Sequence, residues 1–136
     1  MADFSNLKLH SKGTATLRVS GAHTAIALGS GRIEVFATPM MIALMEAAAV
    51  DCVESQLLHG TASVGTHIDV THIAATPVGV EINATAELVD IDARMLTFTV
   101  VARDETEVIG RGTHTRAIVD VARFNARLGS KAHLRG

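Results

Sequence analysis

The chain has 136 residues, 48% of them apolar and 19% charged, with a net charge of -2. That length suits one globular domain, taken here as residues 1–136, and leaves no room for a second. The slight acidity and the 3% aromatic content give neither a basic field nor a stacking platform, so nucleic acid is not an expected partner. Cys52 is the only cysteine and has no intrachain partner, which fits a reducing, cytoplasmic setting. Residues Met1 to His10 are polar and carry no apolar leader. The longest apolar run, Met40 to Val50, is cut by Glu46 and is too short to span a bilayer, so no membrane partner is expected. With no Trp or Tyr, the core must come from small aliphatics, Met and four Phe. A homodimer, or a dimer of dimers, would add buried area that one such chain lacks.

The chain opens on a period-two segment, Thr14 to Val19, with Ala15, Leu17 and Val19 on one side. Ser20-Gly21 makes a turn, and His23 to Leu28 is expected to return as a second short strand before the Gly29-Ser30-Gly31 break. At Thr38-Pro39 the pattern turns helical, Thr38 suiting the N-cap and Pro39 the first turn. The helix is expected to run to Leu58, with His59-Gly60 as its stop, and to be apolar on nearly every face.

Strands follow. Val64 to Ala74 keeps one parity through Val64, Thr66, Ile68, Val70 and His72, ending at Thr76-Pro77. Val80 to Leu88 alternates most cleanly, Leu96 to Ala102 repeats the pattern, and Val108 to Val119 is weakened by Gly110 and Gly112, which signal a bulge or close backbone approach. Val89 to Arg94 and Arg103 to Glu107 fit hairpin loops, and Val121 to Leu128 fits a short helix. A sheet that must cover a helix apolar all round has to curl about it. The expected class is therefore α+β with the hotdog arrangement, a long central helix wrapped by a curled antiparallel sheet.

Glu46 is the most informative residue. It shares a helix face with Ile42, Ala49, Val50 and Val53, which aims a carboxylate into apolar surroundings. Such a group is paired, protonated or at the wall of a cavity, because burying it alone costs several kcal/mol. It either serves a site or is a satisfied structural acid. His72 falls on the apolar parity of its strand, where a core histidine bonded to backbone is the simpler account, and Thr38 is explained by capping alone. His67, Asp69 and His114 do not make a close-spaced ligand cluster, so no metal is expected. No Gly-Xaa-Ser-Xaa-Gly elbow and no phosphate-binding loop occurs, and Cys52 has no base beside it.

Three segments together resemble the fluoroacetyl-CoA thioesterase family: Val35-Phe36-Ala37-Thr38-Pro39-Met40-Met41 leading to Leu44-Met45-Glu46, Gly65 through Pro77, and Ile109-Gly110-Arg111-Gly112-Thr113-His114-Thr115-Arg116. The resemblance runs from about Val35 to Ala126. It implies an acyl-CoA substrate, a catalytic set of Thr38, Glu46 and His72, and ligand contacts at Gly65, Arg116 and Phe36. Glu46 would be base or nucleophile, His72 would orient and protonate, and the Gly65 N–H would polarise the carbonyl. It also implies a homodimer with sites at the subunit interface and no cofactor beyond the coenzyme A of the substrate.

Two departures stand out. The family's aromatic lid before the helix corresponds here to Ala27 to Glu34, which is short, Gly-rich and without Phe, so fluoroacetyl selectivity is not implied. Pro39 replaces a Gly beside Thr38. The competing expectations are a non-catalytic hotdog module that binds an acyl-CoA or acyl carrier, and a hydratase on the same fold, whose Asp/His signature is not evident.

Overall fold

A computed structural model of the chain describes residues 6–133, so the opening segment, read above as lacking a leader, lies partly outside it. Strand β1 (Lys12–Arg18) leads to a turn of 3-10 helix at Gly21–His23 and a four-residue helix α1 (Ala25–Leu28). The main helix α2 (Thr38–Val53) follows, then β2 (Thr61–His72), β3 (Glu81–Asp92), β4 (Met95–Arg103), β5 (Val108–Asp120) and a final helix α3 (Val121–His133). The strands lie in the order β1-β3-β4-β5-β2, and every neighbouring pair is antiparallel. β1 and β2 are thus the two edges, yet α2 touches both of them as well as β3 and β4. Five flat strands at about 4.8 Å spacing would hold their edges about 19 Å apart, more than one helix about 10 Å wide can bridge. The sheet therefore curls around α2. Among the described residues no helix is long and apolar enough to cross a membrane.

The core is the seam between α2 and the sheet. Met41, Leu44, Met45, Ala48, Ala49, Cys52 and Val53 face Ile82, Ala84, Ala86, Leu88, Leu96, Phe98 and Val100, all buried. Gly13 lets β1 approach this seam: a Cβ there would collide with the helix backbone at Ala48 and Cys52. Cys52 donates its thiol to the Ser11 carbonyl (3.2 Å), and burial pushes that thiol above its ordinary range.

Several expectations need correction. His23 to Leu28 is helical, not a strand, because Thr24 accepts a cap bond from the Ala27 N–H and Gly29 closes the turn at φ 71°. The sheet consequently has five strands, not six. α2 stops at Val53 rather than near Leu58: the Glu54 carboxylate accepts from both the Ser63 N–H and hydroxyl, drawing the chain across to β2. The β3–β4 connection is a tight turn in which Asp92 pairs with Met95 and Ala93 takes φ 53°, with a bulge at Val89 where a loop was expected. α2 is not buried all round. Pro39, Ala43, Ala47 and Val50, spaced at three and four residues, form an exposed apolar stripe, and Ile42 is half-buried beside it. In β2 the parity does not run through: a bulge between Gly65 and His67 changes which residues face inward.

Candidate functional site

Glu46 lies where the covered face of α2 meets its open stripe, so its side chain is 41% exposed rather than sunk in apolar surroundings. Its carboxylate points at β2 and β5. Oε2 is 3.6 Å from Nη1 of Arg116 and 3.9 Å from Nε2 of His114. Gly65 makes this approach possible, since a Cβ on it would stand 2.5 Å from Glu46 Oε2. Together Ile42, Glu46, Gly65, Thr66, His67, Ile68 and His114 line a groove of about 230 Å³.

Arg116 is buried under this groove and is held on every side. Nε donates to the Ser63 hydroxyl (2.7 Å), Nη2 to the Ser63 carbonyl (3.0 Å) and Nη1 to His114 Nε2 (3.2 Å). Ser63 passes the contact on to Glu54, donating its hydroxyl at 2.6 Å. The guanidinium therefore sits between two carboxylates, Glu46 and Glu54. Burial lowers its affinity for the proton while both acids oppose that, and an arginine stays charged in either case.

The tautomer of His114 follows from its partners. The His67 carbonyl can only accept, so Nδ1 carries the proton that reaches it at 2.7 Å. Nε2 is then a lone pair, which suits the Arg116 donor. Burial, followed by the neighbouring guanidinium, pushes His114 below its ordinary pKa and keeps it neutral. Its ring stacks on Phe98, centroids 6.1 Å apart. His67 and Asp69 are exposed, and among the described residues no group of three metal-capable side chains is assembled.

Thr38 and His72 form a second pair. Thr38 does not cap α2; the cap residue is Ala37, whose carbonyl accepts from the Met40 and Met41 N–H groups. The Thr38 hydroxyl instead shares a 2.7 Å hydrogen bond with His72 Nδ1. His72 Nε2 is buried without a hydrogen-bond partner, and desolvation, partly opposed by the Ala74 backbone, pushes the ring below its ordinary pKa. The pair opens on a groove of about 260 Å³, walled by Ala25, Ser30, Val35, Phe36, Ile73, Ala74 and Ala75. Phe36 belongs to the core and is fully buried, with its N–H donating to the Thr76 carbonyl, so it backs this wall rather than projecting from it.

One chain does not bring the six expected site residues to one place. Glu46, Gly65 and Arg116 gather at one groove, and Thr38, His72 and Phe36 at the other. Thr38 and Glu46 are eight residues apart on α2, about 12 Å along its axis, which prevents a direct contact. Sequence reasoning missed Ser63 and Glu54 and weighed His114 only as a metal ligand. A signal for His114 existed: Gly110, Gly112, His114, Arg116 and Ile118 share a parity of β5, so two polar side chains stand in a row that otherwise faces the core, where Met41 and Val70 fill the space at the two glycines.

The family described as fluoroacetyl-CoA-specific thioesterase matches residues 19–122. A fluoroacetyl-CoA thioesterase from Streptantibioticus cattleyicolor is 46% identical over 98 residues, covering 72% of this chain and 70% of its own length. The solved fluoroacetyl-CoA thioesterase FlK matches with a TM-score of 0.87 at 37% identity, covering 92% of this chain and 97% of that one. Substituted forms of FlK have been solved with acetyl-CoA, and with fluoroacetate and CoA. A thioesterase superfamily member from Thermus thermophilus has a TM-score of 0.86 at 20% identity over 94% of this chain and 97% of its own, a likeness of fold alone. The curled sheet around α2 is the hotdog fold, in the α+β class.

Proposed function

We propose that this chain, which belongs to the fluoroacetyl-CoA-specific thioesterase family of thioester hydrolases, cleaves an acyl-CoA to a carboxylic acid and CoA at a site built around Glu46. The observation that carries the proposal is the Glu46 carboxylate lying over Gly65, half-exposed to a groove and backed by buried Arg116. A thioester needs little help to lose its thiolate. It needs an activated attacker and donors aimed at the oxygen that becomes charged. Glu46 either takes a proton from water or attacks the carbonyl itself, the Gly65 N–H supports the oxyanion, and the thiolate leaves as the anion, with neutral His72 relaying to it the proton released by the attacking water. The Arg116 guanidinium, 3.6 Å from the Glu46 carboxylate, holds it over Gly65. No cofactor is needed beyond the CoA carried by the substrate.

The two half-sites are joined in a homodimer. Three features of the single chain support this. The open stripe of α2, Pro39 through Val50, is apolar and uncovered. β2 is a long edge strand, from Thr61 to His72, with one side of its backbone unpaired. His72 Nε2 is desolvated with nothing to bond. A second copy meeting β2 and the stripe brings Thr38 and His72 of one chain to Glu46 of the other.

Fluoroacetyl-CoA is not the substrate favoured by this chain's own residues. The stretch before α2 presents Ile26, Leu28 and Ile33 to solvent and no aromatic ring. Ala48 and Ala49 are consumed by packing and leave no room there for an acyl group. A panel of acyl-CoAs read with a thiol reagent tests the proposal: CoA release should saturate with substrate and vanish in Glu46→Ala. Saturable binding without turnover on every thioester would favour a binding module instead.

A further inference from the structure

Glu54 stands one residue beyond the end of α2 and eight beyond Glu46. Its Oε1 accepts twice from Ser63, from the N–H at 3.0 Å and from the hydroxyl at 2.6 Å. Ser63 is buried, so water is a poor substitute for that oxygen. Ending the helix and drawing the chain across to β2 accounts for the first bond, which any residue at position 63 could donate. It does not account for the second, which needs a hydroxyl.

The consequence of the second bond appears at Arg116. A hydroxyl has one proton and two lone pairs. With its proton committed to Glu54, Ser63 Oγ meets Arg116 only as an acceptor, and Nε donates to it at 2.7 Å. The Ser63 carbonyl takes Nη2 at 3.0 Å. These two nitrogens form one edge of a rigid planar group, so holding that edge fixes the plane. The third nitrogen, Nη1, is then aimed: it donates to His114 Nε2 at 3.2 Å and lies 3.6 Å from Glu46 Oε2. Donation runs one way, from Arg116 to Ser63 to Glu54. Without an acceptor at position 54 the Ser63 proton can turn toward the guanidinium, where it meets another donor. The grip on the edge then loosens, and Nη1 loses its aim.

We propose that Glu54 is a positioning residue for the chemistry at Glu46: through Ser63 it fixes the Arg116 guanidinium, and so sets where the Glu46 carboxylate stands over Gly65. The assignment rests on the acyl-CoA hydrolase proposed above. Glu54 does not line the Glu46 groove, so it acts on the rate of the reaction and not on the binding of substrate.

The test compares variants of the full chain by steady-state kinetics on an acyl-CoA, per folded molecule. Glu54→Ala should lower kcat about tenfold and leave KM within about twofold. Glu54→Gln should restore kcat to within about threefold of wild type, because an amide oxygen accepts both Ser63 protons as the carboxylate oxygen does. Ser63→Ala should lose about as much as Glu54→Ala, and it keeps the proposal open to refutation if Glu54→Ala does not fold. The double variant should lose no more than either single one, since one relay breaks once. An unchanged kcat in Glu54→Ala or Ser63→Ala, a Gln variant no better than Ala, or losses that multiply in the double variant overturns the assignment. Hydrogen exchange of the Arg116 Nε–H, followed by NMR, needs no turnover and so separates this assignment from the hydrolase reading. That proton should exchange slowly in wild type and Glu54→Gln, and about tenfold or more faster in Glu54→Ala. Faster exchange supports the positioning role even if no thioester is cleaved. Equal exchange overturns it even if every thioester is.

Discussion

The two polar clusters differ in how completely they are satisfied. Around Arg116 every group is engaged: Ser63 accepts and donates, His114 uses both ring nitrogens, and Glu54 and Glu46 flank the guanidinium. At the other end of β2, His72 has one nitrogen bonded to Thr38 and the other buried and bare. A closed network of this kind fixes a geometry and is costly to open. An open one waits for a group that this chain does not supply. The comparison makes the Arg116 cluster the platform that holds Glu46, and makes Thr38–His72 the half that needs a substrate or a second copy to be complete.

The largest effect should come from the one residue of the platform that faces out. Glu46→Ala should cut acyl-CoA turnover by about 10³-fold with little change in melting temperature, because a half-exposed carboxylate holds little of the fold. If turnover survives, Glu46 is a structural acid and the platform has no catalytic meaning. Arg116→Met should act in the opposite sense. It leaves the Ser63 carbonyl and His114 Nε2 buried without their donor, so unfolding in urea should show a loss of about 3 kcal/mol, with activity following stability. Gly65→Ala lies between them. A methyl group that meets Glu46 Oε2 must displace the carboxylate, and turnover should fall by about 10- to 100-fold with the fold intact by circular dichroism.

On the open side, Ala47→Arg places a charge on the exposed stripe of α2. Sedimentation should then show a monomer where wild type is a dimer, and turnover should fall with the dimer. A monomeric wild type that is fully active would require Thr38 and His72 to be irrelevant to the reaction. Thr38→Val is the milder probe. It removes the hydroxyl from His72 Nδ1 and keeps the shape, so a decrease of about tenfold is expected, since one hydrogen bond positions the ring.

The sequence disclosed some of this and concealed the rest for identifiable reasons. Strand alternation made β3 and β4 plain, and the Thr-Pro start and Ala/Met run made α2 plain. Hydrophobicity could not say which side of α2 was covered: Ala43, Ala47 and Val50 are as apolar as Ala48, Ala49 and Val53, and only the width of a five-stranded sheet decides between them. The parity of β2 was misread because a bulge at Thr66 leaves no trace in an alternation of Val, Thr and Ile. The same bulge sets Gly65 against Glu46. Thr38 looked like a cap because a Thr before a Pro commonly is one; its commitment to His72 depends on a strand 34 residues away and lies beyond any local pattern. Ser63 and Glu54 were missed for the same reason, as their roles exist only once β2 and β5 are paired.

Acid should probe the two histidines most gently. Burial holds both His72 and His114 below the ordinary value of 6.5, so in the folded chain both stay neutral where the unfolded chain would already be protonated. Above pH 6.5 neither state binds the proton and stability should be flat. Below it the unfolded state binds more protons, so stability should fall as pH falls, until the depressed folded values are passed. Each ring contributes at most about 1.4 kcal/mol per pH unit. Melting curves between pH 7.5 and 5.5 should therefore shift downward on acidification, and His114→Asn should flatten the slope at every protein concentration, because its partners are all in one chain. His72→Asn should flatten it too, and likewise at every concentration, because Nε2 is already shut from water within one chain.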